Sequence, residues 1–203
     1  VTLEKPSPLR ISPRCKHFTT CGGCKWQHIP YEEQLTAKAT QVRDAMERLG
    51  KVEVGEYLPI LGSQEIYQYR NKLEFTFSNR RWRTSEELAS LPEGLGEADS
   101  SGLGFHIPGK FDKVLDIEEC HLGNELSNRI RNFVRAYCLE RIERYPFYDL
   151  RAQEGGMRTL MIRTTSKGHT MVLVAFAHEK AHDREELLAA IHHEFPEVNS
   201  LLY

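Results

Sequence analysis

Apolar residues recur at spacings of three and four from Tyr31 onward, through Leu35, Ala39, Val42, Met46 and Leu49, and Gly50 supplies a stop. That period predicts an amphipathic helix whose single apolar stripe packs on a neighbour. The period then falls to two. Residues 52–61 and 66–79 read as strands, the second by alternation of Leu73, Phe75 and Phe77 with Lys72, Glu74 and Thr76, so one face is buried and the other polar. Two further strands, at about 103–107 and 112–118, meet across Pro108 and Gly109, a pair suited to a hairpin turn.

A second helix spans about Asn124 to Arg144, with Leu126, Ile130, Phe133 and Tyr137 on one face and Pro146 beyond its end. Residues 157–165 and 170–177 flank Lys167-Gly168-His169 and predict another hairpin. Asp183 with Glu186 has the spacing of a capping box opening a third helix through Leu187, Leu188, Ile191 and Phe195, and Ser200–Tyr203 reads as a final short strand. Residues 84–103 are acidic and rich in Gly, Pro and Ser, the composition of a weakly ordered surface loop. Residues 1–30 show no periodicity and many Pro, Cys and Gly, which suggests a loop held by something other than an apolar core.

The sum is an α+β class: antiparallel sheet hairpins with about three helices, behind an N-terminal cysteine-rich loop. The expected organisation is 1–50 as that loop and its following helix, and 51–203 as the main α+β domain. No glycine-rich phosphate loop follows any expected strand, so no site for a nucleotide-like cofactor is assigned.

Composition narrows the function class. Hydrophobic residues at 40% and charged residues at 28% describe an ordinary globular chain, and no apolar run approaches the ~18 residues that a bilayer requires. Without an apolar segment near the N-terminus a secretory signal is not expected, the expected location is cytoplasmic, and the opening Val1 fits a trimmed fragment. A monomer is the default expectation. The net charge of −2 argues against a surface that grips nucleic acid everywhere, but positive charge is concentrated in residues 1–25 and 70–83, where it can meet phosphates. A solvated basic face is the plainer alternative, and Arg80, Arg81 and Arg83 stand beside an acidic segment that can neutralise them.

Five cysteines in a reducing compartment point to metal binding before disulfides. Cys15, Cys21 and Cys24 lie within ten residues around two glycines that permit a tight backbone, and Cys120, between a strand and a helix, can supply a fourth thiolate. Loop-closure entropy grows slowly enough for the ~100-residue gap to be no obstacle. Zinc is the first rival, although structural zinc sites usually pair two short knuckles and only one CxxC is present. His17 and His121 stand next to cysteines and could replace one. Cys138, beside Tyr137, reads as a small buried hydrophobe.

Cys15-Lys16-His17-Phe18-Thr19-Thr20-Cys21-Gly22-Gly23-Cys24, then Trp26-Gln27-His28, Tyr31, Gln34-Leu35 and Lys38, resembles the cluster-binding segment of the RNA (uracil-5-)-methyltransferase family, specifically its 23S ribosomal RNA branch. Tyr69-Arg70-Asn71-Lys72-Leu73-Glu74-Phe75, and Gly104-Phe105 leading through Val114, Leu115 and Asp116 to Cys120, keep the same order, so the likeness covers most of residues 15–122. The resemblance implies a [4Fe-4S] cluster on Cys15, Cys21, Cys24 and Cys120, in a central domain that helps hold structured ribosomal RNA. It also implies methyl transfer from S-adenosylmethionine to C5 of a uridine: a cysteine adds to C6, the enolate attacks the methyl group and a base removes the C5 proton.

In that family the catalytic groups and the S-adenosylmethionine pocket lie in a C-terminal domain, and this sequence stops before the corresponding region. No catalytic or S-adenosylmethionine-binding residue is therefore assigned in this chain. The RNA-binding candidates are Arg70 and Lys72, then Lys16, Lys25 and Arg10. His17, Phe18 and Trp26 could stack on unpaired bases, with shielding of the cluster as the competing role for the two larger rings. Two other classes share the cysteine pattern: a zinc-stabilised interaction module, and a redox protein using an iron–sulfur cluster.

Overall fold

The computed structural model describes residues 4–91, 100–178 and 180–203, apart from the side chain of Glu86. The chain divides into two compact units, one of Val1–Thr19 and Gly23–Ile66, the other of Thr20–Gly22 and Tyr67–Tyr203.

In the first unit Pro30 leads into α1 (Tyr31–Asp44), where Glu32 and Glu33 in the first turn suit the positive end of the helix dipole. A π-helical turn, Ala45–Leu49, continues it to Gly50. The expected packing of its stripe is found only at its first turns, where Leu35 is half-buried: neither segment fully buries a residue, and Val42 and Leu49 are 58% and 84% exposed. The stripe is too thin, with Ala39 at its centre and charged or polar neighbours on both sides.

Residues 52–61 also depart from expectation and form no strand. Gly55 and Pro59 interrupt the run, and an isolated strand has no partner for its backbone groups. The segment instead lies along α1. Arg43 sits 4.8 Å from the Tyr57 ring centroid, the Ser63 amide donates to the Tyr31 hydroxyl at 2.7 Å, and Pro59 and Ile60 line a groove with Leu35 and Ala39.

The second unit is a seven-stranded sheet: β1 (Lys72–Ser78), β2 (Arg81–Trp82), β3 (Gly102–Ile107), β4 (Lys110–Asp116), β5 (Met157–Thr164), β6 (Thr170–Phe176) and β7 (Ser200–Leu202). Their order is β2-β4-β3-β1-β5-β6-β7. The β3–β4 and β5–β6 hairpins form as expected, but the sheet is mixed, not purely antiparallel. Both edge pairs, β2 with β4 and β6 with β7, are parallel. Neither parallel pair joins adjacent strands through a tight turn, so no local turn pattern could announce it.

The helices of this unit are α2 (Ser85–Ala89), α3 (Glu125–Leu139) and α4 (Ala181–Glu194). The short α2 begins within the stretch expected to be a loop. Thr84 and Glu87 cap it reciprocally, at 3.2 and 2.7 Å. Of the rest of that expectation, residues 92–99 lie outside the described residues, and Gly102 and Leu103 already belong to β3. Helix α3 starts as anticipated, with the Asn124 side chain accepting from the Ser127 amide at 2.9 Å.

The capping box expected at Asp183 and Glu186 is not made. Lys180 is the N-cap of α4, and both acids instead accept from Arg144. Ion pairing with a guanidinium outcompetes a backbone cap for these carboxylates.

Leu73, Phe75 and Phe77 of β1, Leu160 and Ile162 of β5, and Val172 and Val174 of β6 share one core with Ile130, Val134 and Cys138 of α3 and Leu187 and Ile191 of α4. The opposite sheet face carries Lys72, Glu74 and Thr76 facing Arg163, Met161 and Thr159 across the β1–β5 register, and all are partly or fully exposed. Among the described residues no helix is long and apolar enough to cross a membrane.

Candidate functional site

The cysteine loop is organised by two glutamines. Gln27 Oε1 accepts the Cys15 amide at 3.1 Å, and Gln34 on α1 donates its Nε2 to the carbonyls of Trp26 (3.1 Å) and Ile29 (2.9 Å). Phe18 packs against His28, ring centroids 5.2 Å apart, and its amide donates to the Cys15 carbonyl. Phe18, Trp26 and His17 are half-buried, whereas Lys16, Lys25 and Arg10 are exposed.

Gly22 has φ +70°, and a Cβ there would stand 2.2 Å from Pro108 Cγ, so two independent constraints require glycine between Cys21 and Cys24. Cys21 borders the core of the second unit, as does Cys120.

Cys120 is positioned by a ladder of asparagines on α3 that sequence reasoning did not single out. Asn128 closes both backbone groups of Cys120, accepting its amide at 2.8 Å and donating to its carbonyl at 3.3 Å, and Asn132 donates to the Glu118 carbonyl at 3.1 Å. With the N-cap Asn124 these recur every four residues along one helix face. That spacing was the available signal. Beneath it, Asp116 ends β4 in a buried ion network: Arg131 Nη2 reaches Asp116 Oδ1 at 2.7 Å, Arg135 Nε lies 2.8 Å from both carboxylate oxygens, and the Leu103 amide donates to Oδ1 at 3.1 Å. Burial pushes the Arg131 guanidinium down to about 10 against the pull of Asp116.

All five cysteines are free thiols. Cys15, Cys21, Cys24 and Cys120 are half-buried, and Cys138 is fully buried in the core, as its setting in the sequence suggested. Burial drives the Cys138 thiol well above its usual value, which makes it an inert hydrophobe. Cys15 and Cys24 belong to the first unit, Cys21 and Cys120 to the second. Among the described residues no group of three or more His, Cys, Asp or Glu side chains is gathered closely enough to hold a metal ion. The donor set itself, four accessible thiols with a fifth withdrawn, has the chemistry that an iron–sulfur cluster or zinc requires.

The basic candidates fare unequally. Arg70 is exposed, its amide tied to the Leu122 carbonyl and its Nε to the Lys72 carbonyl at 3.1 Å, so the backbone beside it is rigid while the guanidinium end faces outward. Lys72 is on the open sheet face but pairs with Glu74 at 3.3 Å. Arg163, directly opposite Lys72, adds an exposed cation that the sequence reading passed over because its strand partner was unknown. Arg80 and Arg81 are neutralised, Arg80 by Asp149 at 3.3 Å and Arg81 by Glu87 and Asp116 at 3.6 and 3.7 Å.

A mixed seven-stranded sheet with helices on one face, preceded by a cysteine loop, defines the class of fold. No family model matches the chain. Proteins named as uncharacterized RNA methyltransferases are similar over its length: one from Porphyromonas gingivalis is 61% identical over 203 residues, all of this chain and 44% of that protein. One from Bacteroides thetaiotaomicron is 49% identical over 206 residues, again all of this chain and 44% of the relative, and one from Chlorobaculum tepidum is 40% identical over 175 residues, 86% of this chain and 35% of the relative. The chain thus spans less than half the length of these relatives. The fold is also that of part of Pyrococcus abyssi tRNA (uracil-54, C5)-methyltransferase, crystallised with S-adenosyl-L-homocysteine: TM-score 0.57 and 23% identity, covering 92% of this chain and 37% of that one.

Proposed function

We propose that these residues are the RNA-holding part of an S-adenosylmethionine-dependent RNA (uracil-C5)-methyltransferase acting on 23S ribosomal RNA. The observation that carries the reading is the 61% identity, without loss of coverage of this chain, to a protein named as an RNA methyltransferase. The fold shared with a uracil-C5 methyltransferase of tRNA supports the base and the atom modified, and the cysteine motif supports the ribosomal branch.

In this reading Cys15, Cys21, Cys24 and Cys120 hold a [4Fe-4S] cluster, which supplies strong thiolate bonds where residues 4–30 have no apolar core of their own. The Asn128 clamp fixes the Cys120 backbone, and Gly22 gives the neighbouring thiols their turn. Lys72 and Arg163 on the open sheet face, with Arg70 just before β1, engage phosphates, and Lys16, Lys25 and Arg10 of the loop unit are further contacts. The catalytic nucleophile, the proton-abstracting base and the S-adenosylmethionine site are assigned outside these 203 residues.

The test is iron and sulfide analysis of anaerobically purified protein beside Cys120→Ala, together with binding of a 23S ribosomal RNA fragment over a salt series. About four irons per chain, lost in the variant, and an affinity that falls as salt rises support the assignment. Stoichiometric zinc removes the cluster from it, and RNA affinity indifferent to salt removes the phosphate contacts.

A further inference from the structure

The open sheet face carries a cavity of about 190 Å³ where β1, β3 and β5 meet the 147–154 loop. We propose that this cavity takes one unstacked nucleotide of the RNA, a site separate from the cysteine loop; the inference rests on the RNA-binding reading above.

Two irregularities border it. The β5–β6 register shifts between Met157 and Thr159, and the β3–β4 register shifts between His106 and Ile107. Such bulges bend a strand and re-aim the side chain at the break. Here the extra residue on β5 is Arg158, exposed at the cavity, while the second break places the extra residues Phe111 to Lys113 on β4, of which Asp112 lines the cavity together with the exposed His106 of β3. Arg158 lies over the ring of Tyr148, 5.0 Å from its centroid, and that ring forms one wall.

A guanidinium plane resting on an aromatic ring leaves its outer face as a platform on which a base can stack, and it tolerates any base because each has a π face. Thr76 and Thr159, opposite each other in the register, line the floor with hydroxyls that both donate and accept, as the edge of a base requires.

Size and charge agree. The cavity is smaller than the ~300–1,000 Å³ of sites for drug-sized ligands, which suits one base and not a larger cofactor. Its one carboxylate, Asp112, is held by Arg151 at 2.7 Å, so it does not present an uncompensated negative charge to a phosphate. On the same strand face, four residues or about 13 Å from Thr76, Lys72 stands opposite Arg163. A single strand can therefore lay phosphates along β1 and β5 while one base turns into the cavity.

The test uses the 203-residue chain and a fluorescein-labelled ten-nucleotide oligouridine RNA, read by anisotropy at fixed salt. Arg158→Ala and Tyr148→Leu should each weaken binding at least tenfold, whereas Arg129→Ala, which removes the same charge from α3, should change it less than twofold. Arg158 is exposed, so its variant retains the fold, and circular dichroism checks this for both. As a second readout, uridine 5′-monophosphate titrated into ¹⁵N-labelled protein should shift amides at 76, 106, 148 and 159. RNA binding with affinity unchanged in both cavity variants overturns the cavity and leaves the RNA-binding reading standing. A parent chain that binds no RNA overturns both.

Discussion

Replacing Asp116 with alanine tests the linkage between the sheet and the segment that carries Cys120. The Asp116 side chain is 4% exposed and serves three guanidinium groups and one amide, while its Arg131 partner is 2% exposed. Without the carboxylate, Arg131 keeps the Leu103 carbonyl at 3.0 Å and the Asn132 oxygen at 2.6 Å, but its charge is left buried without its paired carboxylate, with only the weaker pull of Glu118. Stripping one partner from such a pair costs about 3–5 kcal/mol, a large fraction of the ~5–15 kcal/mol that stabilises a typical domain. Arg131→Met should cost less, about 1–3 kcal/mol, because Asp116 retains Arg135 and Arg81 and the main loss is the bond to the Leu103 carbonyl. Urea unfolding followed by circular dichroism measures both, and the double variant closes the cycle. It should be at least about 1 kcal/mol more stable than the sum of the single losses predicts, since removing Arg131 also removes the stranded charge. An Asp116→Ala loss below about 1 kcal/mol, or simple additivity, would refute the reasoning.

Gly104→Ala should destabilise by about 3 kcal/mol or more in the same assay, because its Cβ would stand 1.9 Å from the Leu115 carbonyl oxygen, a backbone atom that cannot step aside. Stability should fall as pH drops below about 4.5 toward 2, in part through Glu186, whose carboxyl is lowered from 4.5 to about 2 first by hydrogen bonding to Arg144 and then by Tyr137. A carboxyl depressed in the fold stabilises it above the unfolded-state value and loses that contribution as pH falls through the folded one, so Glu186→Gln should flatten the acid limb of a melting-temperature profile. Asp149, lowered in the same direction mainly by Asn79, acts over the same limb. In metal-free native protein, DTNB should react with no more than four thiols, Cys138 joining only on unfolding; a fifth fast thiol would contradict its burial.

Hairpins and long helices were legible in the amino-acid order because their signals are local. Alternation along 72–78 placed Leu73, Phe75 and Phe77 inward. The 3.6-residue period placed the start of α3, but of the face Leu126, Ile130, Phe133 and Tyr137 only Ile130 is fully buried: the helix ends at Leu139 and turns Ile130, Val134 and Cys138 to the core. The inert role of Cys138 followed from the same helical setting. The parallel edge pairs, by contrast, join segments whose partnership no turn encodes, and the strand expected at 52–61 failed because strand character needs a neighbouring edge as well as suitable residues.

The chemistry divides in the same way. Which cysteines are candidates, and which stretches are basic, is written in the order of residues. Whether a charge is available is decided by folding, which spends Arg80, Arg81 and Arg144 on carboxylates distant in sequence, partly satisfies Lys72 with Glu74, and brings Arg163 beside it. Asn128 acquires its role only because α3 runs past Cys120, and the cavity at Tyr148 is bordered by two breaks in strand register. Local periodicity sets what each segment can become; long-range register and ion pairing, which depend on three-dimensional proximity alone, decide which side chains remain to meet a ligand.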